Sequence, residues 1–441
     1  MTDILNLKYL RVCEITDSED LYQITVQGVV ESTVCPDCKS GLFGHGSKPQ
    51  RFMDTPIHGK RVILNIDRKR YRCKECGKTS LETLPEIDAK RQATIRLVKH
   101  IEFHCLAKTF ADISREVGVD SKTIRHIFDD YVARLKETVR FQTPRILGID
   151  ELKIVGHYRA MLTNVEALSL FDMLPTRNKA DLTPYFKKIP NKERIEIVTM
   201  DMWRPYKQVV QEQLPGRLIV VDRFHVVRMA NNAIEAVRKT IRKGLDTRTR
   251  IKLKDDRFVL LSRYSNLDSN QRGKLELWSK QFPLLGAAYV AKERFHDIYN
   301  QSNKRDAMRA AKDWQQSIDP SIAWAFHDLT VALSNWWDEI FSYYDFPITN
   351  GYTESINNLA KSMNRMGRGY SFEVIRARLL YDNDARKDNL TTIRKKPRRS
   401  EVDTSMMAKM TFASITEADE IIEYGPSIST LIKKLESGQF E

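Results

Sequence analysis

The chain has 441 residues, 41% hydrophobic and 29% charged, which is material for about three domains of roughly 150 residues and argues against wholesale disorder. No apolar run approaches the ~18 residues a membrane-spanning helix needs, and the opening MTDILNLKYL has no signal pattern, so membrane and secreted classes drop out. Lys and Arg number 72 against 58 acids, a net charge of +14, while residues 401–441 are net acidic; the upstream surplus favours a polyanion such as nucleic acid, because each phosphate neutralised releases counterions.

Two CxxC knuckles come first, Cys35-Pro-Asp-Cys38 and Cys73-Lys-Glu-Cys76. Paired thiolates on tight turns can converge on one tetrahedral Zn²⁺, and nothing in the chain implies the oxidising compartment that disulfides need. Alternating Val62, Leu64 and Ile66 predict the strand of a zinc ribbon, and Gly77 relaxes the second knuckle's turn. Cys35, Cys38, Cys73 and Cys76 are therefore the expected ligands of one structural zinc. His45 and His58 lie between the knuckles as substitutes; Cys13 and Cys105 read as core residues.

The next segment reads as helices. Ile95 to Ala107 suits the first helix of a bundle, and FADISREVGVDSKTIRHIFDDY (110–131) has helix-turn-helix spacing. Ala111, Ile113 and Val117 line one face, Gly118 ends that helix, and Val119 plugs the turn. Ser121 caps a second helix with Ile124 and Ile127 inside, which leaves Ser121, Lys122, Thr123, Arg125 and His126 for a DNA groove.

From Arg145 strands take over. RILGID (145–150), HYRAMLTNV and EALSLFDML are followed by a helix at 179–188, the strand IEIVTMD (195–201), a helix at 205–213 and the strand RLIVV (217–221). Three strands, helix, strand, helix, strand is an order that suits an RNase H-like mixed sheet. Asp150 and Asp201 each end an apolar strand, where crowded carboxylates are costly unless something offsets them. If those strands are neighbours, the two acids meet at one sheet edge and can share divalent metal. A third acid is Glu354 in TNGYTESINNLAKSMNR (349–365), where Thr349 or Asn350 can cap a helix carrying Glu354, Asn357, Asn358 and Lys361 along one polar stripe.

Residues 226–346 look helical and hold five of the six tryptophans, most of them suited to anchor helices; Trp336 and Trp337 are also candidates to stack on an unpaired base. After Glu354, the basic residues Lys361, Arg365, Arg368, Arg376 and Arg378 are candidate DNA-backbone contacts. RKKPRR (394–399) reads as a solvated or DNA-contacting run, and the acidic tail as a helical appendage or dimer contact.

The segments ILGIDE (146–151), VTMDMWRPY (198–206), VVDRFHVVR (220–228), TNGYTESINN (349–358) and RGYSFEVIRAR (368–378), behind the CxxC pairs and the helix-turn-helix, resemble the DDE transposases of bacterial insertion sequences, ISL-three family. The resemblance implies a multidomain α+β chain: a zinc ribbon (1–85), a helix-turn-helix domain (86–140), an RNase H-like α/β catalytic domain (141–225 and 347–390) interrupted by an all-α insertion (226–346), and a tail (391–441). It implies DNA strand cleavage and strand transfer with two Mg²⁺ or Mn²⁺ ions per active site, about 3.5–4 Å apart, around the scissile phosphate. Asp150 matches the first catalytic acid and Glu354 the last. For the middle acid there are two candidates: Asp201 is assigned to metal, and Asp222, which opens Asp222-Arg-Phe-His225, to a supporting role with His225. His225 itself reads either as a hydrogen-bonded core residue or as acting near the phosphate.

Expected partners are double-stranded DNA, as terminal inverted repeats and as target, and a second protomer to pair two ends; the expected location is the bacterial cytoplasm at the nucleoid. A transposase-derived DNA-binding regulator and a nuclease or junction resolvase are the rival readings.

Overall fold

The computed structural model describes residues 5–30 and 34–382. Strands β1 (Leu10–Asp17), β2 (Leu21–Gly28), β3 (Leu42–Ile57), β4 (Lys60–Cys73) and β5 (Thr79–Leu81) build an N-terminal sheet of order β1-β2-β4-β3, with β5 on β4. The period-two pattern of β4 works as predicted: Val62, Leu64 and Ile66 are buried, packed with Ile24, Val26 and Phe52. Antiparallel pairing of β3 with β4 sets Leu42 opposite Cys73, so the register of a long hairpin brings the two knuckles together. Cys105 is buried, but Cys13 is exposed, not in a core: the ladder slips between Val12 and Glu14, and β1 leaves its remaining length to solvent.

Three helices follow, α1 (Ile95–His104), α2 (Phe110–Val117) and α3 (Ser121–Thr138). Gly118 ends α2 with φ +75°, a left-handed conformation suited to glycine. Two details differ from expectation. Asp120, not Ser121, caps α3, its carboxylate accepting from Thr123 N at 2.9 Å. Phe110 takes the inner face with Ile113 and Val117, which leaves Ala111 exposed.

The second sheet comprises β6 (Ile146–Ile154), β7 (His157–Asn164), β8 (Ser169–Leu174), β9 (Ile197–Met200) and β10 (Leu218–Val221), in the order β10-β9-β6-β7-β8. Tight connections make β6, β7 and β8 antiparallel; α4 (Lys179–Lys187) and α5 (Arg204–Gln213) are the crossovers that let β9 and β10 run parallel to β6. One face packs on α4 and α5 through Leu147, Ile149, Phe186 and Tyr206. The other shares a core with α1–α3 and with α14 (Gly351–Met366) and α15 (Phe372–Tyr381). Covered on both sides, the parallel strands β9 and β10 are near-continuous apolar runs, and all four residues of β9 are buried.

Between β10 and α14 run eight helices: α6 (Arg223–Lys243), α7 (Thr247–Asp255), α8 (Arg257–Leu261), α9 (Ser269–Gln281), α10 (Pro283–Ile298), α11 (Lys304–Gln316), α12 (Ala323–Asn335) and α13 (Trp337–Phe341). Trp278, Trp314 and Trp336 anchor their core, while Trp324 is exposed. Burial removes Trp336 as a base-stacking surface, and Trp337 packs on Phe341 at 4.6 Å. Among the described residues no helix is long and apolar enough to cross a membrane. RKKPRR and the acidic tail lie outside the described residues.

Candidate active site

Strand register builds the site. The β6–β9 ladder ends at Ile149 opposite Met200, and the β9–β10 ladder at Val221 opposite Met200. The next residue on each strand is an acid, so Asp150, Asp201 and Asp222 stand at the same level on three adjacent parallel strands, with Asp201 in the centre. Asp150, Asp201 and His225 each offer one ligand atom within 4.8 Å of the others. His225 Nε2 is 2.6 Å from Asp201 Oδ1 as an ion pair, and that oxygen receives no directed hydrogen bond. Asp222 turns aside to cap α6, accepting from Phe224 N at 3.2 Å.

The charges are arranged at a cost. Burial pushes Asp150 up to about 7, and Asp201, Asp222 and Glu354 push the same way while His225 opposes them. Asp222 is likewise raised, chiefly by burial. Burial alone pulls the His225 imidazole down, but Asp201, Asp150 and Asp222 outweigh it and hold the ring above its ordinary value. Two crowded carboxylates with an oxygen lacking a directed donor fit a hard divalent cation, which would relieve their repulsion.

Helix α14 closes the site. Asn350, at its N-terminal boundary, makes no side-chain cap; its Nδ2 donates to Ile149 O at 3.3 Å. Thr353 Oγ1 meets Thr163 Oγ1 at 2.6 Å. Asn357 Nδ2 donates to Asp150 Oδ2 at 2.7 Å, and Asp150 Oδ1 accepts from Glu151 N at 2.7 Å. Glu354 is exposed and lies outside the Asp150–Asp201–His225 group, yet near enough to act on Asp150. Asn357, three residues on, is buried, so the expected polar stripe splits into an inward amide and an outward carboxylate. The hold of Asn357 on Asp150 was not anticipated; its only sequence signal is the three-residue spacing from Glu354. Also unanticipated is Tyr206, whose buried hydroxyl has no hydrogen-bond partner among the described residues and is raised by burial and then by Asp150 and Asp201.

The four knuckle cysteines form a second centre. Their sulfurs lie within 4.8 Å of one another, with Cys35–Cys76 at 3.8 Å and Cys38–Cys73 at 3.3 Å. A tetrahedral ion with ~2.3 Å bonds to sulfur needs edges of roughly 3.8 Å. Disulfides would need ~2.05 Å, and all four cysteines are free. The Ser40 N–H, and then Cys73, pull Cys38 down to about 6, while against the pull of the Lys78 N–H, burial and the neighbouring sulfurs push Cys76 up to about 12, the mutual opposition of crowded thiols that a bound cation would relieve. His58 instead meets the Tyr22 hydroxyl at 3.4 Å, and His45 is exposed.

On α3, Ser121, Lys122 and His126 are exposed. Thr123 donates to Asp120 and Arg125 to Asp129, at 2.6 and 2.9 Å. Thr123 and His126 line a cavity of about 700 Å³ shared with Arg51, Lys90 and Arg91, which gives this helix basic company. Lys361, Arg365 and Arg368 are exposed on or just past α14. Arg376 and Arg378 are not available to DNA as expected. Arg376 donates to both oxygens of Asp172 at 2.8 and 2.9 Å, and Arg378 is buried, its guanidinium over the Tyr370 ring and bonded to Lys108 O.

Comparison with known proteins gives three family matches. Residues 147–379 match a transposase family of ISL3 type, residues 31–76 the zinc-finger of transposase IS204/IS1001/IS1096/IS1165, and residues 82–132 the helix-turn-helix domain of transposase family ISL3. The chain is 26% identical over 337 residues to the transposase for insertion sequence element IS1001 of Bordetella parapertussis, covering 74% of this chain and 82% of that protein. It is 24% identical over 269 residues to the transposase for insertion sequence element IS1557 of Mycobacterium tuberculosis, covering 53% of this chain and 59% of that protein.

Proposed function

The chain belongs to the ISL3 family of transposases, and on that premise we propose that it binds the terminal inverted repeats of an insertion sequence and cuts and rejoins DNA at Asp150, Asp201 and Glu354. The observation that carries this reading is the adjacency of Asp150 and Asp201 just past the last rung of the parallel β6–β9 ladder, with the α14 amide of Asn357 on Asp150. The strand order and its two helical crossovers support an RNase H-like catalytic part, with α6–α13 as an all-helical insertion before the glutamate helix.

Asp150 and Asp201 would hold two Mg²⁺ or Mn²⁺ ions, with Glu354 joining them from the exposed side of α14. Bound there, such ions supply Lewis-acid polarisation of the scissile phosphate and activation of the attacking water or 3′-hydroxyl. Asn357 fixes the rotamer of Asp150, and the Glu151 N–H steadies its other oxygen. His225, paired with Asp201, keeps a proton at Nε2 beside the reacting phosphate. Asp222 holds the start of α6, and so the position of His225, through its cap.

The four cysteines hold one structural Zn²⁺. The zinc ribbon and α3 deliver the element ends, with Ser121, Lys122, Thr123, Arg125 and His126 toward the groove and Lys361, Arg365 and Arg368 on the backbone, so that phosphate contacts set register and base contacts set sequence. Two protomers pair two ends, acting on DNA in the bacterial cytoplasm.

The test is a strand-transfer reaction with the full chain, Mn²⁺, a duplex carrying the end of its own element, and target plasmid. Joined products are expected. Cut but unjoined ends would favour the nuclease reading, and binding without cutting would favour the regulator.

A further inference from the structure

Three side chains at the rim of the acidic pair form a stack. The guanidinium of Arg177, between β8 and α4, lies over the Tyr158 ring at 4.1 Å from its centroid and over the Trp203 ring at 4.3 Å. Tyr158 is 42% exposed and Trp203 37%, large rings of the kind that folding ordinarily covers.

The stack is tied to both acidic residues, to Asp201 through the backbone and to Asp150 through Glu151. Trp203 follows Asp201 by two residues, and its backbone N–H donates to the Asp201 backbone carbonyl at 2.8 Å. Arg177 pairs with Glu151, whose own N–H is the 2.7 Å donor to Asp150 Oδ1. Phe224, 49% exposed and packed edge-on against His225, is a further exposed ring beside the acidic group. Acidic groups repel a DNA strand, so whatever holds the strand at this edge must come from elsewhere. A flat cation layered with two rings supplies both a positive charge and π-faces.

We propose that the Tyr158–Arg177–Trp203 stack is a platform for one unpaired nucleobase beside the scissile phosphate of the strand being cut. This inference rests on the reading of Asp150 and Asp201 as a DNA-cutting centre. A paired base has both faces covered by its neighbours, so a strand drawn to a single phosphate loses stacking locally, and the exposed rings replace it. Stacking accepts any base, since each has a π-face, so the platform adds rate without sequence preference. Arg177 adds its charge next to the flanking phosphate.

The test is single-turnover cleavage by the full chain with Mn²⁺ on duplexes carrying the element's end. One set is intact; in the other, each nucleotide flanking the cut phosphate is made abasic in turn. Trp203→Ala is expected to slow cleavage of the intact duplex roughly 5- to 100-fold, the equivalent of one lost base–aromatic stack. It should cut at the wild-type rate on the duplex whose abasic position removes the partner base. Trp203→Phe, which keeps a ring, should stay near wild type on both.

Equal slowing by Trp203→Ala on intact and every abasic duplex would show a structural role and overturn the inference, as would no slowing on either. A wild-type chain that cuts no substrate overturns the reading of the acidic site itself.

Discussion

Asn357 Nδ2 and Asp150 Oδ2 meet at 2.7 Å, a buried bond between a helix and a strand 207 positions apart in the chain. It fixes the first acid's rotamer and, because Glu354 lies one turn earlier on α14, the distance between the outer acids. Asn357→Ala should cost about 1.5–3 kcal/mol of stability, the range for a hydrogen bond to a charged group, and slow cleavage while leaving end binding unchanged. Asn357→Asp sets a second carboxylate against Asp150 and raises it further, so the rising limb of the pH–rate profile should move to higher pH. An unchanged profile in Asn357→Asp contradicts the contact.

The acidic cluster makes metal-free stability depend on pH. Asp150 is pushed up to about 7 from the ordinary 3.8, so between those values the folded chain binds more protons than the unfolded one and stability falls as pH rises. His225, raised by Asp201 despite burial, has the same sign: its contribution is present below 6.5 and lost as pH climbs through its raised value. Without divalent ions, the melting temperature should fall between about pH 5 and about pH 8 more steeply in the wild type than in Asp150→Asn. Mn²⁺ should restore more at the upper end, because its ligands must first lose their protons. Equal slopes in the two proteins contradict the shift assigned to Asp150.

Much of this arrangement is legible in the chain because it depends on local pattern. The CxxC spacing, the alternation of Val62, Leu64 and Ile66, and the acids closing apolar runs each reflect a rule acting over a few residues, although β6 runs on past Asp150 to Ile154, where its pairing with β7 continues. What is not legible depends on tertiary contact. Arg376 and Arg378 look like free cations until α15 packs, one arginine closing on Asp172 of β8 and the other lying beneath Tyr370. Cys13 reads as core until the ladder slip at Val12 is seen. Asp120 and Ser121 are adjacent residues of equal capping ability, and only the turn geometry chooses between them. The split between Glu354 and Asn357 likewise depends on the rotation of α14, which its contacts with Ile149 and Thr163 set.

The zinc cluster should be required for end binding rather than for the catalytic sheet. Cys73→Ser is expected to lower bound zinc from one ion per chain to none and to abolish binding of the terminal repeat. The loss arises because the β3–β4 hairpin brings the knuckles together only at its far end, where few apolar contacts hold it. Zinc content by atomic emission and a gel-shift titration check this; full repeat binding by a zinc-free variant contradicts it.

Gly148 of β6 lies where β7 and the start of α14 both crowd it. A methyl group there would sit 2.6 Å from Asn350 Oδ1 and crowd Thr163 Oγ1 as well. Gly148→Ala should therefore cost about 1–3 kcal/mol by overpacking and displace the start of α14, lowering both the melting temperature and the cleavage rate. Gly273→Ala, inside α9 where a Cβ meets nothing, is the control: it should raise the melting temperature slightly, by the roughly 0.5–1 kcal/mol that alanine gains over glycine in a helix, and leave cleavage unchanged.

The most direct measurement is single-turnover cleavage of an end-bearing duplex in Mn²⁺ by Asp150→Asn, Asp201→Asn, Glu354→Gln and Asp222→Asn, each with its duplex affinity. The first three should bind as wild type and lose at least roughly a thousandfold in rate, since several kcal/mol of charge stabilisation go with each ligand; Asp222→Asn should retain measurable cutting. Wild-type cleavage by any of the first three, or by Asp201→Asn while Asp222→Asn is dead, would contradict the assignment.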